Sequence, residues 1–400
     1  MSSIQRSHAL DNLRISLTAL VIVHHAAIPY GGAGSWLYTS PHHTPGSSIP
    51  VLAFNVINQT FFMATFFLLS AYFSSIAAQR RTRRAFLWEK WKRLGVPTAV
   101  YSVISKGVVR GIITWRLHDA GWAVVWKEVL EGVKGVRGVS GPVWYCALLL
   151  IFDTLYAVLF PSQFTEAIPT PRNAMPSSKA PPFRTTYVLI ALSSISVMSF
   201  LVRTEYPVGL DFKPLCLQLA FVSQYALYYI AGICIHRSDR TLQEAIIPRT
   251  LRHLAALAIG VTTFSLFQIK SYVTSGGVFI DVVEQATGGV NLFALLYAFW
   301  NEVTGLLLSS VLLKLFTSHR MLGKKWQPFG VDLGKYSYAS FLVHTPLLVD
   351  MQCFFGKGEF EKRGAVFTAM TVGMLGVVES WGVGWLLKEG VDRLVGRGYV

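Results

Sequence analysis

Residues 10–30 read L-D-N-L-R-I-S-L-T-A-L-V-I-V-H-H-A-A-I-P-Y, an apolar run of membrane-spanning length with ionisable groups inside it. Asp11 and Arg14 stand at its entrance, and His24 and His25 lie in its interior. Arg14 and His25 are eleven positions apart. At about 100° per residue, three turns bring them back to nearly one face, and at about 1.5 Å per residue they are roughly 16 Å apart along the axis. One therefore sits at a membrane surface and the other near mid-bilayer, both pointing the same way. Ionisable groups at that depth are costly and face a cavity or a partner helix, so the pair marks a functional site. The plainer reading is a histidine hydrogen-bonded between helices as packing glue; an arginine in phase with it favours function. His24 points about 100° away from His25 and reads as a packing or supporting residue.

The composition agrees with a membrane reading. The 400 residues are 52% hydrophobic and only 14% charged, with mean hydropathy +0.45. A soluble chain of this length would form two or three domains; this one is expected to be a single membrane-embedded domain over 1–400. The net charge of +15 would suggest nucleic acid in a soluble protein. Here the basic residues fall between apolar spans, so no nucleic acid is implied: they reflect positive-inside bias and attraction to anionic headgroups of membrane lipids. Cys146, Cys216, Cys234 and Cys353 lie far apart without metal-ligand spacing, so neither a disulfide framework nor a metal site is indicated. The first ten residues lack the charged region, short apolar core and cleavage site of a signal peptide, and the first helix itself is expected to insert the chain.

Apolar stretches fall near 13–30, 51–77, 94–114, 143–160, 186–202, 215–235, 251–269, 291–316, 331–351 and 365–387. The expected fold is therefore all-α, a polytopic transmembrane bundle of about ten helices. An even number puts both termini on one side. Lys and Arg, with Arg203 counted in an outer segment, favour the terminus-bearing side by about two to one, which makes both termini cytoplasmic. Lys106 and Arg110 interrupt the third span, and Asn55, Asn58 and Gln59 make the start of the second polar, as in a lumenal mouth. The Pro- and Ser-rich segment 161–185 reads as a flexible cytoplasmic connector between four helices and six. Trp122 to Lys134 alternates Trp, Val and charge at helical spacing, as in a helix lying flat on the outer surface. No inverted repeat of the transporter kind is visible.

Polar groups recur where lipid would forbid them. Ser70 and Tyr72 lie near the cytoplasmic end of the second span, which leads into the basic cluster Arg80, Arg81, Arg83, Arg84, Lys90, Lys92 and Arg93. Such a run is first of all a topology signal. The sharper reading lets Arg93, nearest the next span, join Arg14 in gripping phosphates, for which the guanidinium fork is suited. S-G-P-V-W-Y at 140–145 is expected at the outer interface, with Trp144 and Tyr145 as aromatic belt. Glu302 follows Trp300 and Asn301 in the eighth span; Tyr336, Tyr338 and His344 lie in the ninth, with Pro346 as a kink; Glu379 and Ser380 lie in the tenth. Two histidines, two carboxylates and several hydroxyls are what a buried proton-transfer site needs. A proton-coupled carrier needs similar groups.

Six segments in order resemble the acyltransferase-3 family of integral-membrane acyltransferases, in the branch with glucan biosynthesis protein C-like and fungal members. They are L-D-N-L-R with the Arg14–His25 spacing; F-F-M-A-T-F-F-L-L-S-A-Y-F; R-L-G-V-P; G-P-V-W-Y; Q-Y-A-L-Y-Y-I-A-G at 224–232; and Y-S-Y-A-S-F-L-V-H-T-P. The resemblance implies about ten helices and movement of acyl groups from a cytoplasmic coenzyme A thioester to a hydroxyl. It makes Arg14 and His25 the essential pair and His344 the recurring late-helix histidine. Ala71 stands where the family usually has Gly, and Trp300-Asn301-Glu302 stands where Trp-Glu is expected.

The leading expectation is thus an O-acyltransferase using acetyl-CoA or another acyl-CoA as donor substrate, with no bound cofactor. Catalytic candidates are His25 as general base, His344 and Glu302. Candidates for binding donor or substrate are Arg14, Arg93, Ser70, Tyr72, Trp144 and Tyr338. A covalent acyl-His25 intermediate is a variant. The acceptor is a glycan or a small molecule, such as a secondary metabolite, and the location a multi-pass endomembrane such as the endoplasmic reticulum, or the plasma membrane. Two alternatives stand beside this: a proton-coupled permease relaying through His25, Glu302 and His344, and an inactive bundle.

Overall fold

Apolar segments of this length satisfy their backbone polar groups in lipid only as helices, and the computed structural model is built of them. It describes residues 7–135, 138–164, 183–238, 242, 244 and 247–395; most of the connector expected at 161–185 lies outside the described residues. The first half consists of α1 (His8–Ala27), α2 (Ile49–Ala78), α3 (Arg83–Lys90), α4 (Val96–His118), α5 (Trp122–Lys134) and α6 (Trp144–Leu159). The second consists of α7 (Thr185–Glu205), α8 (Val222–Arg237), α9 (Pro248–Thr274), α10 (Phe279–Thr287), α11 (Leu292–Ser318), α12 (Leu333–Gly356) and α13 (Ala365–Val395). A two-residue antiparallel ladder, β1 (Asp211–Phe212) with β2 (Leu217–Gln218), precedes α8. Among the described residues nine helical segments are long and apolar enough to cross a membrane. The ninth expected span, α12, is equally long at 24 residues but more polar, because Ser337, Ser340, His344, Thr345 and Gln352 are buried within the bundle. α12 packs between α1, α4 and α13, so those groups face protein and not lipid.

Side-chain ties fix the ends. Asn12 at the start of α1 donates to the carbonyls of Leu322, at 2.7 Å, and Lys324. Lys325 pairs with Asp332, and the Trp381 indole of α13 donates to the Leu333 carbonyl. The beginning of α1 and the end of α13 therefore share one end of the bundle, the end that the charge bias assigns to the cytoplasm. At the other end Tyr38 and Ser40, in the loop after α1, donate to the buried Glu361 carboxylate.

Four readings change on contact with the fold. Segment 122–134 is a helix, but it does not lie flat: it folds back along α4. Gly107 meets Gly132 backbone to backbone, Val129 covers Gly111, and Trp115 stacks on Trp122 with centroids 6.1 Å apart. Arg110 then faces Glu128 at 4.0 Å, which accounts for the charge within that span. The polar start of α2 is not a solvated mouth, since Asn55 is buried and donates to the His24 carbonyl at 3.0 Å. Arg203 is not in an outer loop; it is enclosed in the last turn of α7. Trp144 and Tyr145 are not an interfacial belt. Pro142 and Val143 are already buried, and the Tyr145 hydroxyl bonds Ser70 in the body of α2, so the chain enters the bundle before α6 begins.

The core is organised around α2, whose inner face packs on α8. Their closest crossing is at Gly232, where an added Cβ would meet the Leu68 carbonyl, the Ala71 methyl and the Tyr72 amide. Ala71 fits because its partner is glycine. Gly232→Leu is expected to force these helices apart at a cost of about 1–3 kcal/mol or more, read as earlier thermal unfolding in detergent; an unchanged transition would count against this crossing.

Candidate active site

His25 and His344 meet across the α1–α12 interface. His25 Nδ1 lies 2.9 Å from His344 Nε2. The rings are 7° from parallel with centroids 5.1 Å apart, the separation of two imidazoles joined edge to edge by one N–H···N bond. His344 Nδ1 lies 2.6 Å from the Phe341 carbonyl oxygen. A carbonyl only accepts, so that nitrogen carries the proton, and in the neutral ring Nε2 is the acceptor. The proton between the rings therefore belongs to His25 Nδ1, and His25 Nε2 is left with a free lone pair. This assignment follows from the network of partners. His344 is fully buried whereas His25 is half-buried, so the basic nitrogen is on the more accessible ring.

Trp36, in the loop after α1, covers a face of His25, with centroids 4.9 Å apart and planes 25° apart. Its indole N–H donates to Gln352 Oε1 at 2.6 Å. Gln352 is buried on α12, two residues from Asp350, which takes a bidentate pair from Arg116 at 2.6 and 2.8 Å. The loop is latched further along, where Tyr38 and Ser40 donate to Glu361 at 2.7 and 2.5 Å. His24, turned to the other side, packs on Phe62 with centroids 4.9 Å apart.

Toward the cytoplasmic end a second group of side chains gathers. The Tyr145 hydroxyl is 2.7 Å from Ser70 Oγ and within electrostatic reach of Arg14. Tyr338 donates to the Arg93 carbonyl at 2.8 Å and lies 3.7 Å from Cys146 Sγ. Arg93 belongs to the five-residue π turn Trp91–Gly95 between α3 and α4, with its side chain exposed. Phe66, Tyr145 and Phe341 touch one another with centroids 5.8–6.4 Å apart, and Phe341 touches His344 at 5.7 Å. These rings form a continuous line of contacts from Tyr145 to His344.

Glu302 lies apart from both groups, whereas Trp144 borders the second, edge-on to Tyr145 with centroids 6.4 Å apart. Glu302 is buried beside Asn301, which donates to it at 3.1 Å; its other partners, Arg203, Ser199 and Gln224, are on α7 and α8. Gly305, one turn on, packs on the Thr60 carbonyl of α2, and the partners of Glu302 include neither His25 nor His344. Trp144 stacks on Tyr225, and Tyr72 packs edge-on against His236. Conversely, Trp36, Gln352 and Glu361 were not singled out by sequence. Gln352 lies one residue beyond the apolar stretch 331–351 and Trp36 lies in a loop, so neither stands out by position.

Over residues 7–378 the chain matches the acyltransferase-3 family model, described as an acyltransferase domain. No curated protein and no solved structure matches it.

Proposed function

We propose that this chain, which belongs to the acyltransferase-3 family and is a multi-pass membrane acyltransferase, moves a short acyl group from acyl-CoA to a hydroxyl of a glycan or small-molecule acceptor, with acetyl the first choice. The observation that carries the reading is the histidine pair, which leaves His25 Nε2 as a base on the same helix face as Arg14.

The acceptor hydroxyl gives its proton to His25 Nε2 as its oxygen attacks the thioester carbonyl. The C–S bond then breaks, the ester is left on the acceptor, and His25 returns the proton to the departing coenzyme A sulfur. His344 acts through His25: by accepting the Nδ1 proton it holds the ring in the productive tautomer and stabilises the imidazolium that forms. Arg14 grips donor phosphates at the cytoplasmic end, with Arg93 a second contact beside it. The roughly 16 Å between Arg14 and His25 along the helix suits a pantetheine arm reaching inward. Glu302, whose partners lie on α7, α8 and α11, is assigned to the Arg203 cluster and not to proton transfer.

Membranes containing the protein, incubated with labelled acetyl-CoA and a panel of hydroxyl-bearing acceptors, should yield an acylated product detected by mass. Failure with every acyl-CoA alongside turnover of another acyl donor would overturn the donor assignment. Arg14→Ala is expected to raise KM for the donor roughly ten- to a hundredfold, the worth of a charged hydrogen bond, with a smaller change in kcat.

A further inference from the structure

We infer that Trp36, held in place by Gln352, determines the length of acyl group this enzyme accepts. The inference rests on the reading above, in which the donor is anchored near Arg14 and extends along α1 to His25. With the thioester at His25, the acyl chain is the part of the donor that points onward, toward the outer end of α1. What stands there is the Trp36 indole, 4.9 Å from the His25 ring centre.

A wall selects by size only if it cannot yield, and this one is fixed at three points. The indole nitrogen is bonded to Gln352 at 2.6 Å. Gln352 is buried, on a stretch of α12 clamped by the Arg116–Asp350 pair. The loop carrying Trp36 is latched by Tyr38 and Ser40 to Glu361. Making room for a longer chain would require breaking the indole bond or lifting a loop tied down a few residues later. Beside Trp36, Ser35 and Leu37 are exposed, and the buried Tyr38 is engaged with Glu361, so the side chain of this loop that lies on His25 is the indole.

The test is donor binding by the purified full-length protein in detergent, measured with CoA, acetyl-CoA, butyryl-CoA and octanoyl-CoA, which requires no knowledge of the acceptor. The wild type should bind octanoyl-CoA about tenfold or more weakly than acetyl-CoA, since unaccommodated methylenes in a rigid pocket cost at least that. Trp36→Ala should bring the two affinities within about threefold of each other while leaving the affinity for CoA itself unchanged. Trp36→Phe, which keeps a ring against His25 but loses the bond to Gln352, should fall between, and it carries the test if the alanine variant does not fold. A wild type that binds octanoyl-CoA as tightly as acetyl-CoA, or a ratio that neither substitution moves, overturns the role of Trp36 and leaves the donor assignment standing. Absence of binding to CoA itself overturns the donor assignment and this inference with it.

Discussion

His25→Ala is expected to lower kcat for acyl transfer by about 10²–10⁴-fold, the usual contribution of a positioned general base, while the protein still elutes as a folded species from detergent size exclusion. His25 is half-buried, and its ring is held by a hydrogen bond to His344 and stacking on Trp36, so its loss removes chemistry before stability. His344 provides the control that separates a base from a merely present imidazole. His344→Ala leaves the His25 Nδ1 proton without its acceptor and frees the ring to take the other tautomer; kcat should fall, but by less than in His25→Ala. His344→Gln offers an amide oxygen that accepts the same proton, so part of the activity should return. Turnover unchanged by His25→Ala would remove the assignment altogether. Equal losses for Ala and Gln at 344 would remove the orienting role of His344 and leave His25 as base.

What was legible in advance follows from which physical constraints act locally. The length and polarity of α1, and the phase of Arg14 with His25, are properties of one helix and need no tertiary information. That His344 would lie against His25 is not such a property; residues 319 positions apart meet only because α12 packs on α1, and family resemblance, not spacing, nominated it. Trp144 and Tyr145 differ from expectation in depth because an aromatic pair at the start of a span has two explanations, interface and interior. The burial of Pro142 and Val143 decides for the interior. Glu302 was grouped with the histidines because intramembrane ionisable residues carry no label for their partner. The fold gives it Arg203, a residue that the charge count puts in an outer segment. The permease reading loses support at the same point, since the partners of Glu302 are Asn301, Arg203, Ser199 and Gln224 and not the His25–His344 pair. Trp36 could not be found from sequence, because a single aromatic in a loop acquires meaning only when the loop is folded onto a site.

The basic cluster after α2 contains one residue whose role is more specific than topology, and its removal should have the largest effect on stability. Lys90 Nζ lies 2.9 Å from Asp153 Oδ2 and donates to Ser74 Oγ at 2.6 Å; Tyr229 donates to the other carboxylate oxygen at 2.7 Å. Asp153 is completely buried, and the four residues belong to α2, α3, α6 and α8, so this node ties α3 onto the bundle. Lys90→Met should destabilise by about 3–5 kcal/mol, because it strands a carboxylate whose ion-pair partner is gone. Asp153→Leu should also destabilise, by leaving the lysine and the Tyr229 hydroxyl unpaired. The double variant removes both charges and replaces them with apolar volume, so it should unfold at a higher temperature than either single variant; buried pairs replaced together are often neutral. A thermal-unfolding cycle in detergent reads the coupling directly. If the double variant is less stable than both singles, the two side chains act independently, and Lys90 returns to being one more positive charge on the cytoplasmic side.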